Sequence, residues 1–195
     1  MALVTAAQVR ELLPQVRDET AIDAAIARAE AVLAAWLFFR PSDAGEYVLE
    51  DATYTEFVEP QQVRGRELHL RMRPVIAITS IHQSVDETYD TDDLVDPSEY
   101  ELQPEEGWVL SRRAASFGGW SRGYRALRAI YVAGLGTPGN GPQDVQLAVA
   151  WQTQQILRGS WKLRQPEDDP IHQDAFDPRI GELLGHRRLW EFAIG

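Results

Sequence analysis

The hydrophobic positions in the first forty residues recur at helical spacing. Thr5 and Gln8 occupy the two reciprocal positions of a capping box, in which each side chain satisfies a free backbone amide at a helix start. This spacing predicts a short helix over about residues 5–14, ended by Pro14. A second helix over about residues 19–39 follows, because apolar residues recur every three or four positions: Ile22, Ile26, Ala29, Leu33, Trp36 and Leu37.

Between about residues 47 and 133 the spacing changes from the helical period to the two-residue period of strands. Residues 68–73 alternate apolar and polar side chains, which is typical of a half-buried strand. Residues 100–102 and 108–110 flank Gly107, and this arrangement predicts a hairpin. We therefore predict an antiparallel β insertion of five or six short strands.

A third helix is predicted over about residues 142–158, because Pro142 suits a first helical turn and apolar residues follow it at helical spacing. The predicted fold class is α+β: a small α-helical core of three main helices, an inserted antiparallel β subdomain and an extended C-terminal arm. Residues 1–160 would form a single domain, and residues 161–195 would form the arm.

Composition removes several classes of function. The chain has 195 residues and a net charge of −11, which argues against binding DNA by neutralising its phosphates. It has no cysteine, so disulfides and thiol chemistry are excluded. The longest apolar run, residues 31–39, is far shorter than the roughly 20 residues of a membrane span. With no signal peptide visible, we expect a soluble intracellular protein without a membrane partner.

The acidity is concentrated in one part of the chain, which we call the acidic segment (residues 86–106). A divalent metal site for a small hydrolase is one interpretation of this segment, and a solvated loop and hairpin is the other. The acidic segment contains ten carboxylates and no basic residue: Asp86, Glu87, Asp90, Asp92, Asp93, Asp96, Glu99, Glu101, Glu105 and Glu106.

A match to the dinucleotide-binding pattern GxGxxG begins at Gly134. Asn140, Gly141 and Pro142 separate it from the helix that it would need to open.

A basic stretch without any acidic residue follows, which we call the arginine segment (residues 112–128). Its arginines alternate with Phe117, Trp120 and Tyr124, a composition that suits a single-strand nucleic-acid-binding module. It equally suits docking on an acidic protein surface, and we favour this interpretation because the chain carries such a surface itself. In a ring of identical copies, Arg112, Arg113, Arg122 and Arg125 of one copy would then contact Asp90, Asp92 and Asp93 of the next.

The last twenty residues are unusually apolar for a chain terminus. Such a segment either folds back on the core or docks in a groove of a partner. The residues concerned are Phe176, Ile180, Leu183, Leu184, Leu189, Trp190 and Phe192.

The order of these segments resembles the head-tail connector proteins of long-tailed bacteriophages, also called adaptor or head-completion proteins, in their longer type with a β insertion. The likeness runs over about residues 3–158. It is carried by residues 3–5, 22–36, 68–81, Tyr100, 131–134 and 142–148. The chain departs from the common pattern in a longer loop at residues 136–141 and a longer tail after Gly159.

The resemblance implies a structural virion protein at the head-tail interface and not an enzyme, so no catalytic residue, metal site or cofactor is expected. Such proteins form a ring, usually of twelve copies, that extends the DNA channel beneath the portal. The implied partners are the portal, further copies of the chain, a tail-side connector or stopper protein, and passing double-stranded DNA without specific binding. The apolar C-terminal residues would dock on the portal.

Overall fold

The chain forms two compact units in a computed structural model that describes residues 3–12, 14, 18–37, 39–84, 86–104, 106–112, 119–137, 140–157 and 178–187. The helical unit contains the chain up to residue 41, residues 45–50 and the chain from residue 135. The strand unit contains residues 42–44 and 51–134. Helices and antiparallel sheets are both present, which confirms the predicted α+β class.

The described part of the helical unit contains the α-helices α1 (Ala6–Leu12), α2 (Glu19–Trp36), α3 (Gln143–Leu157) and α4 (Pro178–Leu184). The predicted capping box is confirmed, because the Gln8 amide donates to Thr5 Oγ1 over 3.3 Å and the Thr5 amide donates to Gln8 Oε1 over 2.7 Å. Asp18 caps α2 by accepting from the Ala21 amide over 3.2 Å. Local side-chain chemistry therefore starts both N-terminal helices.

The three helices predicted from the sequence are present but slightly shorter than predicted. Helix α2 ends at Trp36 instead of residue 39. There the Leu37 amide still donates to Leu33 O, but the Phe39 amide donates to Ala34 O over 2.9 Å. This bond spans five residues instead of the four of an α-helical bond, so it closes the last turn and ends the helix.

The core of the helical unit lies around α3. Helices α1, α2 and α4 all pack against α3, so residues from both ends of the chain share one apolar interior. Its buried side chains include Leu3, Val9, Ile22, Ile26, Leu33, Leu37, Val145, Ala148, Val149, Ile180 and Leu184.

The described residues of the strand unit form two antiparallel sheets. Their strands are β1 (Ala52–Phe57), β2 (Val63–Arg64), β3 (Glu67–His69), β4 (Val75–Gln83), β5 (Tyr100–Gln103), β6 (Trp108–Ser111) and β7 (Leu127–Ala133). The first sheet has the strand order β1-β7-β4 and the second the order β2-β3-β6-β5. The predicted hairpin is confirmed as β5 paired with β6, and Gly107 in its turn has a φ of 68°.

A buried carboxylate, that of Glu56 on β1, joins distant parts of the strand unit. The Tyr131 hydroxyl on β7 donates to it over 2.7 Å, and Gln62 Nε2 donates to it over 2.6 Å. Arg71 adds its backbone amide at 3.1 Å and an ion pair at 3.3 Å. The Met72 amide in turn donates to the Tyr131 hydroxyl over 3.2 Å. With Glu56 only 7% exposed, these donors offset the cost of removing its charge from water.

The pKa of the Tyr131 hydroxyl is raised well above its ordinary value by burial and by the neighbouring negative charge of Glu56. The hydroxyl therefore stays protonated and donates a hydrogen bond to the carboxylate. Tyr54 lies beside it, with the ring centroids 6.0 Å apart, and burial raises the pKa of Tyr54 to about 12. The Tyr54 hydroxyl is buried but has no hydrogen-bond partner among the described residues.

Replacing Tyr131 with Phe should lower the free energy of unfolding by about 1–3 kcal/mol, because it leaves the Met72 amide without its acceptor and takes one donor from Glu56. Tyr54→Phe is the matched control and should change stability by less than about 0.5 kcal/mol. Urea unfolding of both variants measures the difference. Equal effects would show that the Tyr131 hydroxyl has no special role.

A second buried carboxyl, that of Glu30 on α2, holds the beginning of the chain. It is 5% exposed and accepts a hydrogen bond from the Leu3 amide over 2.5 Å. Burial, with a smaller contribution from the negative charge of Glu50, raises the pKa of Glu30 to about 7, although the Leu3 amide opposes the rise. The folded chain therefore keeps a proton here that an unfolded chain releases near pH 4.5.

Replacing Glu30 with Gln should reduce the pH dependence of stability between pH 4.5, the ordinary pKa of this carboxyl, and about pH 7. In that range the folded chain binds more protons than the unfolded one, so its stability falls as the pH rises. At about pH 8 the variant should be more stable than the natural chain by up to about 3 kcal/mol, and below about pH 4 the two should agree. The free energy of unfolding by denaturant, measured across this pH range, tests the prediction, and the exposed Glu19→Gln is the control. An unchanged pH slope in Glu30→Gln would contradict the assignment.

Candidate functional site

The described carboxylates of the acidic segment order their own backbone. Asp86 accepts hydrogen bonds from Ser84 Oγ at 2.9 Å and from Thr88 Oγ1 at 2.8 Å. Asp96 accepts from the Ser98 amide over 2.8 Å and caps a single 3-10 turn. These bonds, led by those from Thr88 and Ser98, hold the pKa values of Asp86 and Asp96 below their usual range. Both carboxylates therefore stabilise turns while remaining charged.

Two arginines of the arginine segment contact the beginning of the acidic segment within the same chain. The Arg125 guanidinium lies 4.3 Å from the centre of the Phe57 ring, and its Nε is 3.8 Å from Glu87. Arg128 lies 4.8 Å from the centre of the Tyr89 ring and donates to Tyr89 O over 3.2 Å. The Tyr89 hydroxyl donates in return to Arg125 O. Cation–π contacts and hydrogen bonds therefore hold the acidic segment on the sheet.

Arg112 and Arg125 thus find carboxylates of the acidic segment in their own chain, whereas their expected contact with Asp90, Asp92 and Asp93 of the next copy stays a prediction. Arg112 makes an ion pair with Glu101 at 3.1 Å, and both side chains are about half exposed. A strand pairing explains it, because Arg112 follows β6 and Glu101 lies on the adjacent β5. Among the other residues expected to contact a neighbouring copy, Asp90, Asp92 and Arg122 are exposed, Asp93 is half-buried and Arg113 lies outside the described residues.

Of the described aromatic residues in the arginine segment, Trp120 is not available for stacking on nucleic-acid bases. Trp120 is buried, and its Nε1 donates to Val109 O over 3.0 Å. Tyr124 is 68% exposed, whereas Phe117 lies outside the described residues. Since Trp120, Arg125 and Arg128 have contacts inside the strand unit, the pattern that suggested single-strand binding serves packing at these three positions.

Neither a cluster of metal ligands nor a membrane-spanning helix occurs among the described residues. No group of three or more His, Asp or Glu side chains is positioned there to hold a metal ion. No helix in that part of the chain has the length and the apolar character needed to cross a membrane.

The described part of the C-terminal segment is helical where an extended arm was expected. Ile180 and Leu184, four residues apart in α4, are fully buried, and Leu183 is half-buried. This spacing puts the two apolar side chains on one helix face, which packs against α3. Ile180 and Leu184 therefore belong to the core in this conformation. Phe176, Leu189, Trp190 and Phe192 lie outside the described residues.

Charged contacts hold α4 and the turn after it against α3. Arg187 donates to both carboxylate oxygens of Asp144, over 2.6 and 3.1 Å. Burial opposes ionisation of Asp144, but the Arg187 guanidinium outweighs it and lowers the pKa of this carboxyl. The Arg179 guanidinium lies 4.5 Å from the centre of the Trp151 ring. Because 43 residues separate Asp144 from Arg187, their pairing has no signal in a local sequence pattern.

The fold is similar to that of chains in gene transfer agent (GTA) particles. A chain in the neck of an empty GTA particle, computed with C6 symmetry, matches with a TM-score of 0.61 and 16% identity over 97% of this chain and 91% of its own. A chain in the neck of the native particle, computed with C12 symmetry, matches with a TM-score of 0.56 and 17% identity over 97% of this chain and 90% of its own. A chain in the virion of the native particle matches with a TM-score of 0.60 and 14% identity over 97% of this chain and 91% of its own.

No protein-family model matches the sequence, and no curated protein matches it either. At 14–17% identity, the likeness to the solved chains establishes a shared fold. It covers both the helical unit and the strand unit, because it extends over 97% of the chain.

Replacing Ile180 with Ala should lower the free energy of unfolding by about 2–4 kcal/mol, because it opens a cavity between α4 and α3. Leu183→Ala, on the same helix but half-buried, should cost less than half as much. Chemical denaturation of the two variants provides the comparison. Two neutral substitutions would instead support a free arm.

Proposed function

We propose that the chain is a structural protein of the neck of a phage-like particle, where it forms the adaptor ring between portal and tail. The observation that carries this proposal is the likeness of its fold, over 97% of the chain, to chains in the neck of GTA particles. The sequence resemblance to head-tail connector proteins points to the same role independently. The role requires assembly and no chemical step, so we propose no enzymatic activity and no cofactor.

A closed ring of identical copies is the proposed assembly. The neck chains of similar fold come from reconstructions with C6 and C12 symmetry, which supports cyclic assembly and is compatible with twelve copies. A ring needs two different surfaces on each copy that fit each other. The exposed Asp90 and Asp92 offer a negative surface, and we propose that basic residues of the adjacent copy, including Arg122 and Arg113, face it.

The proposed partners are the portal on one side and a tail-side connector or stopper protein on the other, within the virion. Double-stranded DNA would pass through the ring without specific binding. The net charge of −11 supports this, because an acidic protein repels phosphates and would not retain the passing DNA.

Negative-stain electron microscopy of the purified chain, alone and mixed with its portal, tests the proposal. We expect closed rings of this chain seated on the portal in the mixture. The double variant Asp90→Lys, Asp92→Lys should form fewer rings, because it reverses two charges of the proposed contact. The double variant Asp23→Lys, Glu46→Lys, at two exposed positions of the helical unit, is the charge-matched control for its effect on folding. Monomers both with and without the portal would overturn the ring assignment.

A further inference from the structure

A carboxyl almost completely removed from water holds residues 3–12, which we call the N-terminal segment, on the helical unit. Glu30 on α2 is 5% exposed, and the Leu3 amide donates to its Oε1 over 2.5 Å. The side chains of Leu3 and Val4 are buried too. Leu3 also lies directly before α3, because a Cβ added at Gly141 would come within 3.2 Å of the Leu3 side chain. Moving the N-terminal segment away would therefore open Glu30 to water.

Ionisation of Glu30 is unfavourable while this segment is in place. Burial, together with the like charge of Glu50 from residues 45–50, raises the pKa of Glu30 to about 7. The amides of Leu3 and Val4 and the positive amino group of the chain oppose this rise but do not cancel it. Ion pairs of the helices packed against α2 involve other residues: Arg10 of α1 with Glu19, and Asp144 of α3 with Arg187.

Of the parts of the chain around Glu30, the N-terminal segment detaches at the lowest cost. Its helix α1 has 7 residues, and a helix of this length is not stable on its own in water. Its ion pair with α2, between Arg10 and Glu19, lies at the surface and therefore contributes little. Helix α2, in contrast, packs against α3 in the core of the unit. Detaching the segment hydrates Glu30 and leaves this core intact.

We propose that Glu30 and the N-terminal segment form a pH-operated latch: the segment closes over the protonated carboxyl and detaches when the carboxyl ionises, while α2 and α3 stay folded. This inference goes beyond the proposed function and does not depend on it. Opening exposes the apolar side chains of Leu3, Val4 and Val9, which are buried in the closed form.

The direction of the switch follows from proton linkage. The closed form binds the proton up to about pH 7, whereas an open, hydrated Glu30 releases it near pH 4.5. Opening is therefore rarest below pH 4.5, increases about ten-fold per pH unit above it and levels off above about pH 7. Acidification from neutral pH closes the latch.

Hydrogen exchange of the full-length chain, followed by mass spectrometry between pH 5 and pH 8, tests the latch. The exchange rates of peptides from α1 and α3 are divided by the intrinsic rates, which removes the ordinary pH dependence of exchange. The test variant is Glu30→Gln, which keeps an uncharged acceptor for the Leu3 amide at every pH. Val4→Ala is the matched control, because it removes buried apolar area from the segment and changes no charge.

In the natural chain, we expect the corrected exchange rate of α1 to rise by a factor on the order of 50 from pH 5 to pH 8, as linkage requires for this pair of pKa values. The rate in Glu30→Gln should stay nearly constant. Val4→Ala should exchange faster at every pH and keep the natural slope. Exchange in α3 should not follow the rise in α1.

A corrected α1 rate that is independent of pH in the natural chain would overturn the proposal, and so would equal slopes in the natural chain and Glu30→Gln. A parallel rise in α3 would overturn it too, because ionisation would then unfold the helical unit as a whole. This comparison of α1 with α3 needs only the natural chain, so it decides even where the variant does not fold. Ring formation is measured separately by microscopy.

Discussion

A carboxylate almost completely removed from water, that of Glu56, joins parts of the strand unit that are far apart in the sequence. It accepts from Tyr131 on β7, from Gln62 after β1 and from Arg71 before β4, so both sheets have residues in or next to this network. A buried charge is tolerated only where such donors are in place. This arrangement therefore holds residues in or next to both sheets together.

Local patterns predicted helices α1, α2 and α3 well, because capping and apolar periodicity act within a few residues. The capping box at Thr5 and Gln8 is present as predicted, and Asp18 caps α2 by the same local chemistry. The hairpin around Gly107 followed from turn chemistry in the same way. The two-residue strand β2 was missed, because Val63 and Arg64 are too few to show a period.

Pairings between distant residues were beyond the reach of sequence reasoning. The apolar C-terminal residues were consistent with an arm or with a return to the core, and only the packing of Ile180 and Leu184 against α3 distinguishes the two at those positions. The opposite charges of the two segments predicted that they attract each other, but not that Arg112 and Arg125 would find carboxylates in their own chain. The position of β4 at the edge of its sheet has no local sequence signal, because it depends on which strand is its neighbour.

The central claim is that this chain forms the ring between portal and tail. The most direct measurement is a cryo-electron microscopy reconstruction of the neck of the particle that carries it. The account predicts a closed ring of this chain directly beneath the portal, with its helical and strand units both recognisable in the density. A neck whose ring is built from another protein, with this chain elsewhere or absent, would contradict it.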